Sequence, residues 1–227
     1  MKKKTEIQRI FLIRHGQSLQ NTGVTMGHDI FDGDVPLSPV GEKQAYEAGI
    51  FLEKYIEDHS IPMELSALWE SPYLRAEQTG SGIKKHVRFF RDYQDPRLVE
   101  RDMGLFDNIS RENWDEIAPA ETHNTDIRQN SLRGKFFCRL PQGESPLDVF
   151  VRVSTFMESI YRDRFDNLFI VTHGAVIKVM LMKIFHYSLE WFYHEKRPAN
   201  CSIRLIERTE DRKFRDCGYI YDGGGTF

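Results

Sequence analysis

Cysteine is scarce in this chain: three residues in 227, Cys138, Cys201 and Cys217, odd in number and widely scattered. That pattern excludes a disulfide framework and suits a reducing compartment, so a cytoplasmic protein is expected. Long hydrophobic runs are missing as well. The longest early one, Ile10–Ile13, is too short for a signal-peptide core or a membrane span, and Lys2–Lys4 reads as a solvated start. There is no excess of charge: 31 Lys and Arg against 34 Asp and Glu leave a net charge of −3, without the basic stripe of a nucleic-acid binder. Neither nucleic acid nor a membrane is therefore an expected partner. Repeats, low-complexity tracts and Pro/Gly/Ser-rich linkers are absent, and only the tail Asp222–Phe227 looks loose. What remains is 40% hydrophobic and 29% charged, enough apolar material for the core of one large domain, given a usual domain size of ~100–200 residues.

Short β-branched and aromatic runs predict strands at Ile7–Ile13, Leu65–Trp69 and Leu168–Thr172. A final hairpin is expected from Ser202–Glu207 and Phe214–Tyr221. Ser38-Pro39 opens a helical pattern with Ala45, Ala48, Leu52 and Tyr55 on one face, and Ser145-Pro146 opens another with Val149, Val153, Phe156 and Ile160. Ala175–Phe185 is apolar nearly all round and predicts a buried helix, from which Lys178 and Lys183 would extend to solvent. Strands alternating with helices imply an α/β fold, a mostly parallel sheet covered on both faces. The pattern breaks between Arg101 and Gly143, where Phe106, Trp114, Phe136 and Phe137 mix with charges of both signs. That span reads as a loop-rich flap over a site or as a surface insertion.

Parallel sheets bind ligands at the carboxyl ends of their strands, so the residues at strand exits carry the functional signal. The first strand is followed by Arg14-His15-Gly16-Gln17-Ser18, the second by Ser71-Pro72-Tyr73-Leu74-Arg75, the third by His173-Gly174. Two histidines and two arginines thus gather at one sheet edge, with Arg75 in the first turn of a helix where free amides already favour an anion. Taken alone, each residue is as compatible with an ordinary structural role. Together they describe a phosphate site.

The stretch Arg14-His15-Gly16-Gln17-Ser18 with Asn21 resembles the opening signature of the histidine phosphatase superfamily, the phosphoglycerate mutase-like fold. The resemblance continues in family order through Leu37–Gly41, Ser71–Thr79, Glu100–Gly104, Pro141–Ser145 and Val171–Ala175, covering most of the chain. The run Phe136–Ser145 is similar to a plant and fungal branch of phosphoglycerate mutase-like phosphatases. The resemblance implies a three-layer α/β/α sandwich of one domain over residues 1–227, with the flap at about 101–143.

It also implies that His15 is the nucleophile, forming a phosphohistidine, and that Arg14, Arg75 and His173 hold the phosphate, with Asn21 a further contact. Glu100 falls at the family's acidic position as general acid and base. Neighbouring Asp102 is a rival for that role, and Glu100 could instead be a structural partner of Arg97 or Arg101. No metal and no other cofactor is expected, since the fixed cations already supply positive charge and no His-Glu-x-x-His spacing occurs. The expected substrate is a small-molecule or protein phosphomonoester. His28, His59, His86, His123, His186 and His194 carry no motif and read as surface or partly buried residues.

The implied alternatives are a phosphoglycerate mutase-type phosphotransferase and a non-catalytic phospho-ligand or protein-binding member. Family mutases continue His-Gly with Asn and carry Tyr after the acidic residue, whereas this chain has Ala175 and Met103, and Gly27-His28 replaces a Ser-Gly pair. A non-catalytic member would have lost the nucleophile, an arginine or the acid, and none is missing. A phosphatase is expected.

Overall fold

The computed structural model describes residues 6–23, 30–107, 109–162 and 164–224. Lys2–Lys4, Gly27-His28 and the last three residues of the tail lie outside them. Four strands of the sheet run parallel: β1 (Arg9–Arg14), β2 (Ser66–Glu70), β3 (Arg91–Gln94) and β4 (Asn167–Thr172). The hairpin β5 (Ile203–Arg208) and β6 (Phe214–Tyr221) completes a six-stranded sheet of order β3-β2-β4-β1-β5-β6, with β5 antiparallel to β1. The predicted strands are all present within one or two residues of their expected ends. Strand β3 was not legible because its four residues, Arg-Asp-Tyr-Gln, are all exposed at the sheet edge and show no apolar alternation.

Period-two alternation divides the central strands between two cores. Ile10, Leu12, Leu168 and Ile170 face one core, which is shared with α6 (Pro146–Ile160) and α7 (Gly174–Phe185). Phe11, Ile13, Phe169 and Val171 face the other, shared with α1 (Pro39–Asp58) and α2 (Leu74–Ile83). Phe11 and Phe169 are register partners on β1 and β4 and stack with ring centroids 4.3 Å apart. This is the expected α/β/α sandwich.

Serine caps start the helices where the sequence places them. Ser38 accepts from the Gly41 amide at 3.1 Å, and Ser145 forms a reciprocal capping box with Asp148. Ser71-Pro72 behaves differently: Tyr73 occupies the N-cap of α2, and the Ser71 hydroxyl is left for the site below. The loop after β1 lies directly on the start of α1. A Cβ on Gly41 would stand 2.0 Å from the Gln17 carbonyl oxygen, and one on Gly16 2.6 Å from that of Gly41, so the close approach needs glycine on both sides.

The span 101–143 is helical rather than loop-rich. It contains α3 (Trp114–Ile117), α4 (Pro119–Arg128) and α5 (Leu132–Phe137). Phe106 and Trp114 stack at 3.9 Å and, with Ala118 and Leu140, give the segment a small core of its own. Phe136 instead enters the main core against Phe192 of α8 (Leu189–His194), and Phe137 is exposed. The aromatic residues of this span therefore serve three different environments. Sequence pattern could not separate them.

Candidate active site

Strand order explains the convergence of residues 60 to 160 positions apart. Because β4 lies between β2 and β1, the residues leaving all three strands meet at one edge. The His15 amide donates to the Thr172 carbonyl at 2.9 Å, and the Ser71 amide to the Val171 carbonyl at 3.0 Å. The His15 and His173 rings lie 5.1 Å apart. His15, Arg75, Asn21 and Glu100 line a cleft of about 540 Å³ that extends under the 101–143 segment, where Met103, Phe106 and Ile109 form its wall. Arg14 and His173 are buried directly behind this lining.

The His15 ring is oriented by its own chain. Nδ1 lies 2.7 Å from the Gly16 carbonyl oxygen, which can only accept, so Nδ1 carries the proton and Nε2 keeps its lone pair. Burial, reinforced by Arg14 and Arg75, holds the His15 pKa well below the ordinary imidazole value, so the ring is neutral at physiological pH. His173 is depressed in the same way, by burial first and then by Arg75 and His15. Its Nε2 is 2.8 Å from the Ser71 hydroxyl, while its buried Nδ1 has no partner.

The two arginines differ. Arg14 donates to the Pro198 carbonyl at 2.7 Å, leaves its buried Nε unpartnered, and is pushed down to about 10 by burial and by Arg197. Arg75 is paired: it donates to the Asp32 carbonyl at 2.5 Å and to the Asp32 carboxylate at 2.8 Å, and lies 5.0 Å from the Tyr73 ring centroid. Nothing in the sequence linked Asp32 to Arg75. Asp107 also lines the cleft, and burial, with Asp32 and Asp102 nearby, raises it to about 6.

Glu100 accepts from the Arg101 amide at 2.9 Å and faces Arg197 at 3.9 Å. The structural partners weighed for it are engaged elsewhere, since Arg97 pairs with Asp95 and the Arg101 Nε donates to the Glu144 carbonyl. Asp102 caps the Gly104 amide at 2.6 Å and does not line the cleft. Asn21 accepts from the Ser18 amide and from Asn200, whose side chain also donates to the His15 carbonyl. Lys178 corrects its sequence reading. It does not extend to open solvent but lines the cleft, donating to the Glu195 carbonyl at 2.9 Å. Lys183 lies 3.6 Å from Glu158. None of His59, His86, His123, His186 and His194 lines the cleft, and His28 lies outside the described residues.

Among the described residues no group of three or more His, Cys, Asp or Glu is placed to hold a metal ion, and no helix is long and apolar enough to cross a membrane.

Two buried neutral histidines have a consequence for stability. Unfolding lets each take up a proton near pH 6.5, so below that pH the unfolded state binds more protons and stability falls with pH. The expected slope is about 1.4 kcal/mol per pH unit for each histidine. Urea denaturation at pH 7.5 and 5.5 measures it, and His15→Ala should remove roughly half of the histidine-dependent loss.

The chain is 33% identical to the phosphoglycerate mutase-like protein AT74 of Arabidopsis thaliana over 88% of its own length and 65% of that protein's. It is 26% identical to the broad-range acid phosphatase DET1 of Saccharomyces cerevisiae, over 88% of this chain and 85% of that one. The alpha-ribazole phosphatase of Shigella flexneri has the same fold, with a TM-score of 0.73 at 19% identity, covering 96% of this chain and 99% of that structure. Residues 10–216 match the histidine phosphatase superfamily (branch 1), and the chain belongs to that family.

Proposed function

We propose that the chain is a phosphomonoesterase that works without a metal ion through a phosphohistidine on His15. The observation that carries this reading is the state of His15: neutral, held by Gly16 so that Nε2 is the free base, and buried between cations at the floor of a cleft. In the first step Nε2 attacks phosphorus, an N–P bond forms, and the ester P–O bond breaks. Glu100 gives its proton to the departing alkoxide. In the second step Glu100 takes a proton from water, the hydroxide attacks phosphorus, and the N–P bond breaks to release phosphate and neutral His15. Phosphoryl transfer depends mainly on positioning and on stabilising the equatorial oxygens, which falls to Arg14, Arg75 and the buried, unpartnered Nδ1 of His173.

The Ser71 contact supports a donor role for His173. The Ser71 oxygen accepts from the Tyr73 amide, and when its own proton is given to Nε2 the His173 proton sits on Nδ1, available to a phosphate oxygen. Glu100 is favoured over Asp102 because it lines the cleft while Asp102 is turned to Gly104. Ala175 and Met103, where mutases of the family carry Asn and Tyr, both line the cleft and favour water over a sugar phosphate as acceptor.

The test is hydrolysis of a series of phosphate esters in excess chelator. Glu100→Gln is expected to lower kcat about 10²–10⁴-fold for alkyl phosphates, whose leaving groups need a proton, and much less for nitrophenyl phosphate. Equal losses across the series would remove Glu100 from the acid role. Loss of all activity on chelation would remove the metal-independent reading.

A further inference from the structure

The stretch that carries Glu100 has no secondary structure to fix it: from Val99 to Met103 the chain is neither helix nor strand. The carboxylate itself is held lightly. The Arg101 amide donates to it at 2.9 Å, and Arg197, a side chain 64% exposed, lies 3.9 Å away. Where the carboxylate points therefore depends on where its backbone is held.

That backbone is gripped from α6. Arg152 sets one edge of its guanidinium against Glu144, with Nε 2.8 Å from one carboxylate oxygen and Nη2 2.9 Å from the other. Further donors go to two main-chain carbonyls, Nη1 to Arg97 at 2.7 Å and Nη2 to Glu100 at 3.1 Å. Glu144 holds the residues that follow. Its carboxylate accepts from the Asp102 amide at 3.1 Å, its own amide donates to the Asp102 carbonyl at 2.9 Å, and its carbonyl accepts from the Arg101 Nε at 2.9 Å. Arg97, Glu100, Arg101 and Asp102 are thus all tied to one ion pair, with Glu100 inside the tied stretch.

An ion pair serving α6 alone would not need these contacts. The helix already has its capping box at Ser145 and Asp148, and Val149, Val153 and Phe156 anchor it in the core. The pair is largely sheltered, 16% exposed at Arg152 and 24% at Glu144, so its hydrogen bonds compete with little water. A packed helix behind and a planar fork in front give a geometry that an ammonium group cannot copy.

We infer that Arg152 and Glu144 are positioning residues for the proposed acid: they hold the Glu100 main chain so that its carboxylate reaches the leaving oxygen of the substrate. This rests on the phosphatase reading, in which Glu100 protonates the departing alkoxide, and deepens it. Neither Arg152 nor Glu144 lines the cleft, so both act through Glu100. A general acid must lie within about 2.6–3.2 Å of the atom it protonates, and a displacement of about 1 Å costs on the order of 10²-fold in rate.

Two esters test it: 2-phenylethyl phosphate, whose alkoxide needs a proton to leave, and 4-nitrophenyl phosphate, whose phenolate does not. The quantity to read is kcat/KM, which reports the step in which the alcohol departs. Arg152→Lys loses the fork but keeps the charge, which matters because His173 is lowered by burial first and by Arg152 among the surrounding charges. It is expected to lower kcat/KM about 10–100-fold for the alkyl ester and to leave the nitrophenyl ester within about twofold of wild type. Glu144→Gln, which turns an acceptor oxygen into a donor, should show the same selective loss. Either variant added to Glu100→Gln should cost the alkyl ester nothing further. No loss, equal losses on the two esters, or a loss that adds to that of Glu100→Gln would make the pair a brace of the fold alone and overturn the inference. A wild type that hydrolyses neither ester, or a Glu100→Gln variant that spares the alkyl ester, overturns the reading beneath it instead.

Discussion

His15→Ala is expected to lower kcat toward phosphate esters by about 10⁴-fold or more while leaving the fold and the affinity for inorganic phosphate nearly unchanged. The nucleophile is lost, but Arg14, Arg75 and His173 remain to hold the phosphate. His15 contributes an imidazole ring to the floor of the cleft and no long-range side-chain hydrogen bond, since its Nδ1 is satisfied by the neighbouring Gly16. The loss should therefore appear in the chemical step and not in binding. Rapid acid-free quenching of the wild type with labelled substrate should trap phosphate on the protein through a P–N bond that survives alkali and breaks in acid. The variant should trap none. Persistence of wild-type turnover in His15→Ala would end the covalent mechanism.

Arg75→Ala should be the more damaging substitution for the molecule as a whole. Arg75 is expected to hold the phosphate, and it also neutralises Asp32, whose carboxylate is almost entirely buried against it. Removing the guanidinium strands that charge, and breaking one partner out of a buried pair typically costs about 3–5 kcal/mol. Activity should fall by about 10³-fold in kcat/KM, because one cationic donor to the equatorial oxygens is lost. The two effects can be separated. Asp32→Asn in the Arg75→Ala background should recover much of the stability and none of the activity. Recovery of activity with stability would mean that Arg75 acts only on the fold.

Comparison of these two residues shows what could be read in advance. His15 stood out because it follows an apolar run within a dense motif, and its local partner, Gly16, is the next residue in the chain. Arg75 stood out in the same way, but its electrostatic partner is 43 residues away in a segment with no periodic pattern. Glu100, the proposed acid, stood out by position, yet its distinction from Asp102 depended on which of the two carboxylates turns toward the cleft and which caps Gly104. Lys178 was misread because a lysine on an apolar helix looks the same whether its ammonium reaches solvent or a concave wall.

By itself the sequence determined the α/β class, the strands that carry the site, the helix starts and the family. Those features are local, since apolar periodicity, serine caps and motif order survive in a linear string. The tertiary structure decided the exposed edge strand β3, the helical nature of the 101–143 segment and its separate aromatic core. It also decided the Arg75–Asp32 pair, the Ser71–His173 contact and the turn of Lys178 into the cleft. Each of these depends on burial and on contacts between residues distant in sequence.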